Sequence, residues 1–274
     1  LSMGWLYHSN LHISFVAAGV VLGSYALSGE PSSFAYVFLA AAGALLVYHT
    51  DRAVFNSEED KGNAPHRLEW YRHHRVYLTL STILAILGIG VSVFFLPVYV
   101  LVSGAILGVL GLLYAAPLFS RKLRLKNIPV LKSFLILFCW VVGGLVLPLW
   151  DSVSATTLLL FAVYRSLYLL PNLLLAEWVD SPGDTFVGIR SMGALMSIGG
   201  IRISAVLSFL GAVACSIALV DHGVSSMLLI VDMIGFGAVI WMIYSVSNWS
   251  TTHIVWLDLL VGFPAVTWLV HSLQ

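Results

Sequence analysis

The run Glu177-Trp178-Val179-Asp180-Ser181-Pro182-Gly183-Asp184 puts three carboxylates within eight residues, in a chain with only 13 acidic residues among 274. It follows a long apolar stretch, where clustered negative charge is costly unless a counter-charge lies beside it. A hard divalent cation shared with a phosphate is the cheapest such partner. Glu177, Asp180 and Asp184 stand at i, i+3 and i+7, a spacing that puts them on one face of a continuous helix. Pro182-Gly183 is expected to end that helix and leave Asp184 on the turn below. A second acidic point, Asp51 in Tyr48-His49-Thr50-Asp51-Arg52, ends another apolar stretch. The expectation is that Asp51, Glu177, Asp180 and Asp184 converge on a metal. The plainer alternative is that these acids face water and pair with local arginines.

Basic residues supply the complementary chemistry. Arg121 and Lys122, in Tyr114-Ala115-Ala116-Pro117-Leu118-Phe119-Ser120-Arg121-Lys122, could grip phosphate oxygens by charge-assisted hydrogen bonds. Equally, they could be the ordinary basic residues of an inner loop. Arg165 sits in the middle of an apolar span and needs a partner or a watery cavity. Asp232 matches it in depth, so a structural ion pair is favoured over a role in acceptor binding. Tyr114, Tyr164, Tyr168 and Asn172 are candidate cavity residues. His49, His66, His73 and His74 lack the tight spacing of a zinc site. Cys139 and Cys215 lie in apolar stretches and read as packing residues.

The elements that must position these groups are membrane helices. The chain is 59% hydrophobic and 9% charged, with a mean hydropathy of +0.96. That composition excludes a soluble domain, and a formal net charge of zero gives no reason to expect nucleic acid. Nine spans are expected, over 11–28, 33–50, 76–95, 97–116, 129–149, 154–176, 203–220, 224–246 and 253–271. Each is long enough for a hydrocarbon core, and none shows the two-residue alternation of a barrel strand. No cleavable leader is expected. All the Lys and Arg residues except Arg165 fall in loops on one side, and the opposite loops hold none. The positive-inside rule then predicts a cytoplasmic N-terminus and an external C-terminus, in a bacterial inner membrane or its equivalent. The chain reads as one polytopic domain over 1–274, with the polar segment 51–75 as a lid or site loop.

These motifs resemble those of the UbiA superfamily of intramembrane prenyltransferases. The second acidic run is similar to that family's D-x-x-D-x-x-G-D, and Gly188-Ile189-Arg190-Ser191-Met192 to the G-I-R segment after it. Tyr114, Pro117, Leu118 and Arg121 match a Y-x-x-P-L-x-x-R loop. Asp51-Arg52 and Asn63-Ala64-Pro65-His66-Arg67 match parts of the first motif and of the segment downstream. The sequence departs from the pattern at Val47, where an Asn is expected, at Phe55, where a second Asp is expected, and at Glu177 in place of Asp. The resemblance implies an all-α bundle of nine helices with a central cavity open near the cytoplasmic side. It implies transfer of an isoprenyl group from its diphosphate to a lipid-soluble, aromatic acceptor in quinone or pigment biosynthesis. Mg²⁺ would be held by Asp51, Glu177, Asp180 and Asp184, with Asp51, Asp180 and Asp184 catalytic. Arg67, Arg121, Lys122 and Arg190 would bind diphosphate, and Tyr114, Arg165 and Asn172 would line the cavity. The degraded first motif leaves an alternative, a catalytically silent subunit of a larger membrane protein complex that binds lipid, quinone or pigment.

Overall fold

The computed structural model describes residues 3–54, 65–116, 125, 128, 130–186 and 191–274. It is a bundle of helices with no strand among the described residues. Seven helices are long and apolar enough to cross a membrane: Leu11–Ser28, Phe34–Arg52, Arg75–Ser92, Leu131–Leu149, Ala155–Val179, Ile198–Asp221 and Ser226–Ser245. An eighth span would consist of Thr252–Val261 and Pro264–Ser272, which meet at a bend of 41°. The bend follows from Pro264, which has no backbone N–H to continue the helix. The expected span at 97–116 coincides with a shorter apolar helix, Val98–Tyr114. The outer surface carries large apolar side chains such as Leu84, Phe94, Ile203 and Trp241, as a lipid-facing surface does.

Glycines set the closest helix crossing. A Cβ on Gly19 would lie 2.5 Å from the carbonyl oxygen of Gly262, and one on Gly23 would overlap Pro264. Only hydrogen at these positions lets Leu11–Ser28 lie against the bent pair, as small residues do at membrane helix interfaces. That approach brings His12 beside Asp258.

Two stretches of π-helix interrupt regular helices. The first, Thr50–Val54, continues the helix Phe34–His49 and carries Asp51 and Arg52. The second, Val142–Val146, lies inside the span Leu131–Leu149. Carbonyls of this second stretch accept side-chain hydrogen bonds: Tyr36 Oη donates to Gly143 O at 3.0 Å and Ser24 Oγ to Gly144 O at 2.9 Å. Such partners meet the backbone's need for hydrogen bonds where no water is available.

Near the N-terminus, the helix Met3–Ser9 turns into Leu11–Ser28 through Asn10, whose φ of 57° is left-handed. Asparagine tolerates that region better than most residues. Its side chain is used as well. Asn10 Nδ2 donates to Tyr71 Oη at 3.2 Å, and Asn10 Oδ1 accepts from Arg52 Nη1 at 3.3 Å. Within the polar segment after Asp51, Pro65–His73 forms a helix tied to the start of the chain.

Candidate functional site

The helix Ala155–Val179 ends at Asp180, and a short helix, Ser181–Phe186, follows directly. The helix that carries Glu177 does end close to Pro182, as expected, but the chain resumes as helix at once. Pro182 sits in the first turn of that second helix, where a missing N–H costs nothing. Asp184 N donates to Asp180 O at 3.1 Å, so the helical course carries through the acidic run. Asp184 is thereby held on a helix, where a turn was expected.

Asp51, Glu177, Asp180 and Asp184 all line a single cavity of about 540 Å³. That volume is in the range of small-molecule sites. Arg52, Arg67 and Lys132 bring positive charge to the same wall, and Leu110, Leu135, Leu169, Leu173 and Val261 make much of the rest apolar. Tyr114 and Asn172 line it as expected.

The four acids are not equivalent. Asp184 Oδ2 lies 2.6 Å from Lys132 Nζ, a short ion pair with both side chains largely buried. Glu177 is engaged by its neighbours: Ser133 Oγ lies 2.8 Å from both carboxylate oxygens, and Gly193 N donates to Oε2 at 2.9 Å. Glycine is required at 193, because a Cβ there would overlap the Leu174 carbonyl. Glu177 therefore ties the turn at 191–193 to the helix Ala155–Val179. Burial pushes the Asp180 carboxyl up to about 6, against the opposing pull of Lys132, Arg52 and Arg67. Among the described residues, no three His, Cys, Asp or Glu side chains come together as a metal-ligating group.

Of the residues expected to bind diphosphate, Arg67 is buried against the cavity, its guanidinium 4.2 Å from the centre of the Tyr7 ring. Arg121, Lys122 and Arg190 lie outside the described residues, as do Phe55, Asn63 and Gly188. Val47, at the position where the resemblance expects Asn, lines the cavity one turn before Asp51 and packs on Gly111.

Arg165 does not line the cavity. It is fully buried and donates to Asp232 Oδ2 at 3.2 Å, the ion pair favoured from depth alone. Tyr164 Oη donates to the same oxygen at 2.7 Å and Thr267 Oγ1 to Oδ1 at 3.1 Å. Tyr168 also turns away from the cavity, donating to Leu260 O at 3.3 Å. These contacts join four helices, and the low dielectric between them leaves a buried arginine no solvent to reach.

Lys132 is indistinguishable in the sequence from other loop cations until the fold sets it against Asp184. His12 and Asp258, neither of them a candidate from the sequence, both line the cavity, with His12 Nε2 3.3 Å from Asp258 Oδ2. A signal was present in the apolar setting of His12, because an isolated polar side chain early in a span calls for a partner.

No protein-family model matches the chain, and no curated protein matches it in sequence. Two solved structures are similar in fold. A UbiA homologue from Aeropyrum pernix K1 aligns with 96% of this chain and 99% of its own, at a TM-score of 0.65 and 17% identity. A digeranylgeranylglyceryl phosphate synthase aligns over 98% of this chain and 97% of its own, at a TM-score of 0.58 and 14% identity. Both alignments run nearly end to end, so the similarity covers the whole helix bundle rather than a shared pair of helices. The chain thus has the fold of UbiA-type membrane proteins.

Proposed function

We propose that the protein is a UbiA-type membrane prenyltransferase that transfers an isoprenyl group from its diphosphate to a lipid-soluble acceptor with the aid of Mg²⁺. The observation that carries this reading is the union of Asp51, Asp180 and Asp184 with Arg52, Arg67 and Lys132 around one largely apolar cavity. A diphosphate needs cations at its head and a dry wall for its chain, and the cavity offers both. The name of one of the two similar structures, a digeranylgeranylglyceryl phosphate synthase, points to the same class of chemistry.

The donor set suits magnesium in kind. Mg²⁺ commonly takes one or two carboxylates and completes its shell with substrate phosphates and water, so a preformed group of three ligands is not required. Asp180 and Asp51 are the residues best placed to hold it. Asp180 lines the cavity at the end of the helix Ala155–Val179, and Asp51 lines the same cavity from the helix that continues Phe34–His49. When bound, the ion would neutralise charge developing on the leaving diphosphate. Arg67 and Lys132 would orient the diphosphate oxygens, and the apolar wall would keep water from the reacting carbon. The distribution of basic residues orients this end of the bundle towards the cytoplasm.

One other reading has specific support. Val47 is apolar where the resemblance expects Asn, and Glu177 is engaged by Ser133 and Gly193. A catalytically silent subunit that holds lipid, quinone or pigment in the same cavity would show these features too. Binding of geranylgeranyl diphosphate to purified protein, titrated with and without Mg²⁺, separates the two. Mg²⁺-dependent binding lost in Asp180→Ala supports the transferase. Absence of any diphosphate binding by the wild-type protein rejects it and leaves the silent subunit.

A further inference from the structure

A second polar cluster faces the same cavity, deeper in the bundle. Asp258 accepts from Asn172 Nδ2 at 3.1 Å through Oδ1, and its Oδ2 lies 3.3 Å from His12 Nε2. His12 Nδ1 is 2.9 Å from the Leu6 carbonyl, which can only accept, so Nδ1 carries a hydrogen. All three side chains line the cavity, and Asp258 keeps 13% of its side chain exposed there. Asn172 stands eight residues before Asp180, about 12 Å along a straight helix. The walls near this cluster, from Ile13, Val16, Ile254 and Val261, are apolar.

The cluster is short of hydrogens. The Asp258 carboxylate can accept about four hydrogen bonds, and Asn172 Oδ1 has no partner among the described residues. Only Asn172 Nδ2 donates here and, when the imidazole carries a hydrogen on both nitrogens, His12 Nε2. The indole N–H of Trp249, which lines the same cavity, has no partner among the described residues. A hydroxyl group satisfies both shortages, since it gives one hydrogen bond and takes another. An ammonium group only gives, and so leaves the Trp249 N–H unmet.

We infer that Asp258, held by His12 and Asn172, is the docking point for a hydroxyl group on an otherwise apolar ligand. In the transferase reading, on which this role rests, that ligand is the acceptor, and its class is a lipid-soluble phenol or alcohol. The diphosphate would occupy the Asp51–Asp180 end and the hydroxyl the Asp258 end. His12 and Asn172 are positioning residues: they hold the carboxylate that meets the ligand.

The test uses full-length protein in lipid nanodiscs and two probes, 2-naphthol and 2-methoxynaphthalene, each corrected against protein-free nanodiscs. The probes share a ring system and differ in the hydroxyl hydrogen. A hydrogen bond to a charged acceptor predicts that wild-type protein binds 2-naphthol about ten-fold or more tighter than 2-methoxynaphthalene. In Asp258→Leu the ratio is expected to fall to about two-fold or less, with 2-methoxynaphthalene binding retained. Because Asp258→Leu leaves His12 facing an apolar group, the double variant His12→Phe/Asp258→Leu removes both partners together, and the same loss of discrimination is expected. Equal binding of the two probes by wild-type protein overturns the inference, since water alone then satisfies Asp258. Discrimination that survives in the double variant overturns it as well. Geranylgeranyl diphosphate binding is measured in parallel. If that fails while naphthol discrimination holds, the transferase reading falls and the hydroxyl site stands. The opposite result removes the hydroxyl site alone.

Discussion

Two places in this bundle put charge where a membrane protein can least accommodate it, and they do so in different ways. Arg165 and Asp232 are fully enclosed, and Asp232 is met by Arg165 and Tyr164 from one helix and by Thr267 from another. The acidic end instead sets Asp51, Asp180 and Asp184 along an open cavity with Arg52, Arg67 and Lys132. In the first place the charges meet each other inside the bundle and away from the cavity, although Arg165 Nε and Nη2 have no hydrogen-bond partner among the described residues. In the second, acids and cations share a cavity that a ligand can enter, and burial pushes Asp180 up to about 6 against the pull of three nearby cations. An enclosed pair holds helices in register. A cavity lined by charges of both signs is equipped to bind.

The sharpest way to break this contrast is to remove one half of the enclosed pair. Asp232→Leu leaves Arg165 buried without a counter-charge, and the expected cost is about 3–5 kcal/mol in stability. Thermal unfolding in detergent would record it. Arg165→Met/Asp232→Leu should recover much of the loss, because an apolar pair of similar volume needs no solvation.

At the open end the expected effect is on chemistry and not on folding. Asp180→Ala should lower Mg²⁺-dependent prenyl transfer by about 100-fold or more. Its melting temperature should stay close to that of the wild type. Loss of stability comparable to that of Asp232→Leu would show that the two regions do not differ as described.

A smaller effect should reach both regions at once. Gly23→Ala forces a methyl group into Pro264, at the crossing that positions both Thr267 of the enclosed cluster and Asp258 of the cavity. Overpacking of this kind costs about 1–3 kcal/mol. The variant should therefore lose stability and discriminate 2-naphthol less well.

A more local change sharpens the comparison within the acidic run itself. Ser133→Ala removes a donor 2.8 Å from both Glu177 oxygens, worth about 1.5–3 kcal/mol for a hydrogen bond to a charged group. If Glu177 is a tie between its helix and the turn at 191–193, this variant and Glu177→Gln should both lower stability while leaving Mg²⁺-dependent diphosphate binding in place. A parallel loss of metal-dependent binding would instead assign Glu177 to the cation.

Much of the helix layout was legible in the sequence because it depends on local composition. Runs of apolar residues long enough to cross a membrane are helical there for want of any other backbone partner. The expected spans match the observed helices to within several residues, apart from the short Val98–Tyr114 and the bend at Pro264. The Arg165–Asp232 pair was legible for a related reason, since two lone charges at matching depth have few alternatives. The acidic run was visible as a cluster, but the function of each acid was not. Whether a carboxylate faces a cavity or a neighbouring Ser133 depends on a contact 44 positions away in the chain.

The amino-acid sequence by itself therefore determined that the chain is helical, that it resides in a membrane, and which residues carry its scarce charge. Hydropathy and helical periodicity act within a few turns and need no partner. Only the tertiary structure decided that Lys132 neutralises Asp184, that Glu177 is a tie, and that His12 meets Asp258 across 246 positions of chain. Those choices turn on helix crossings allowed by Gly19 and Gly23, where the absence of a side chain on one helix sets how closely another can approach.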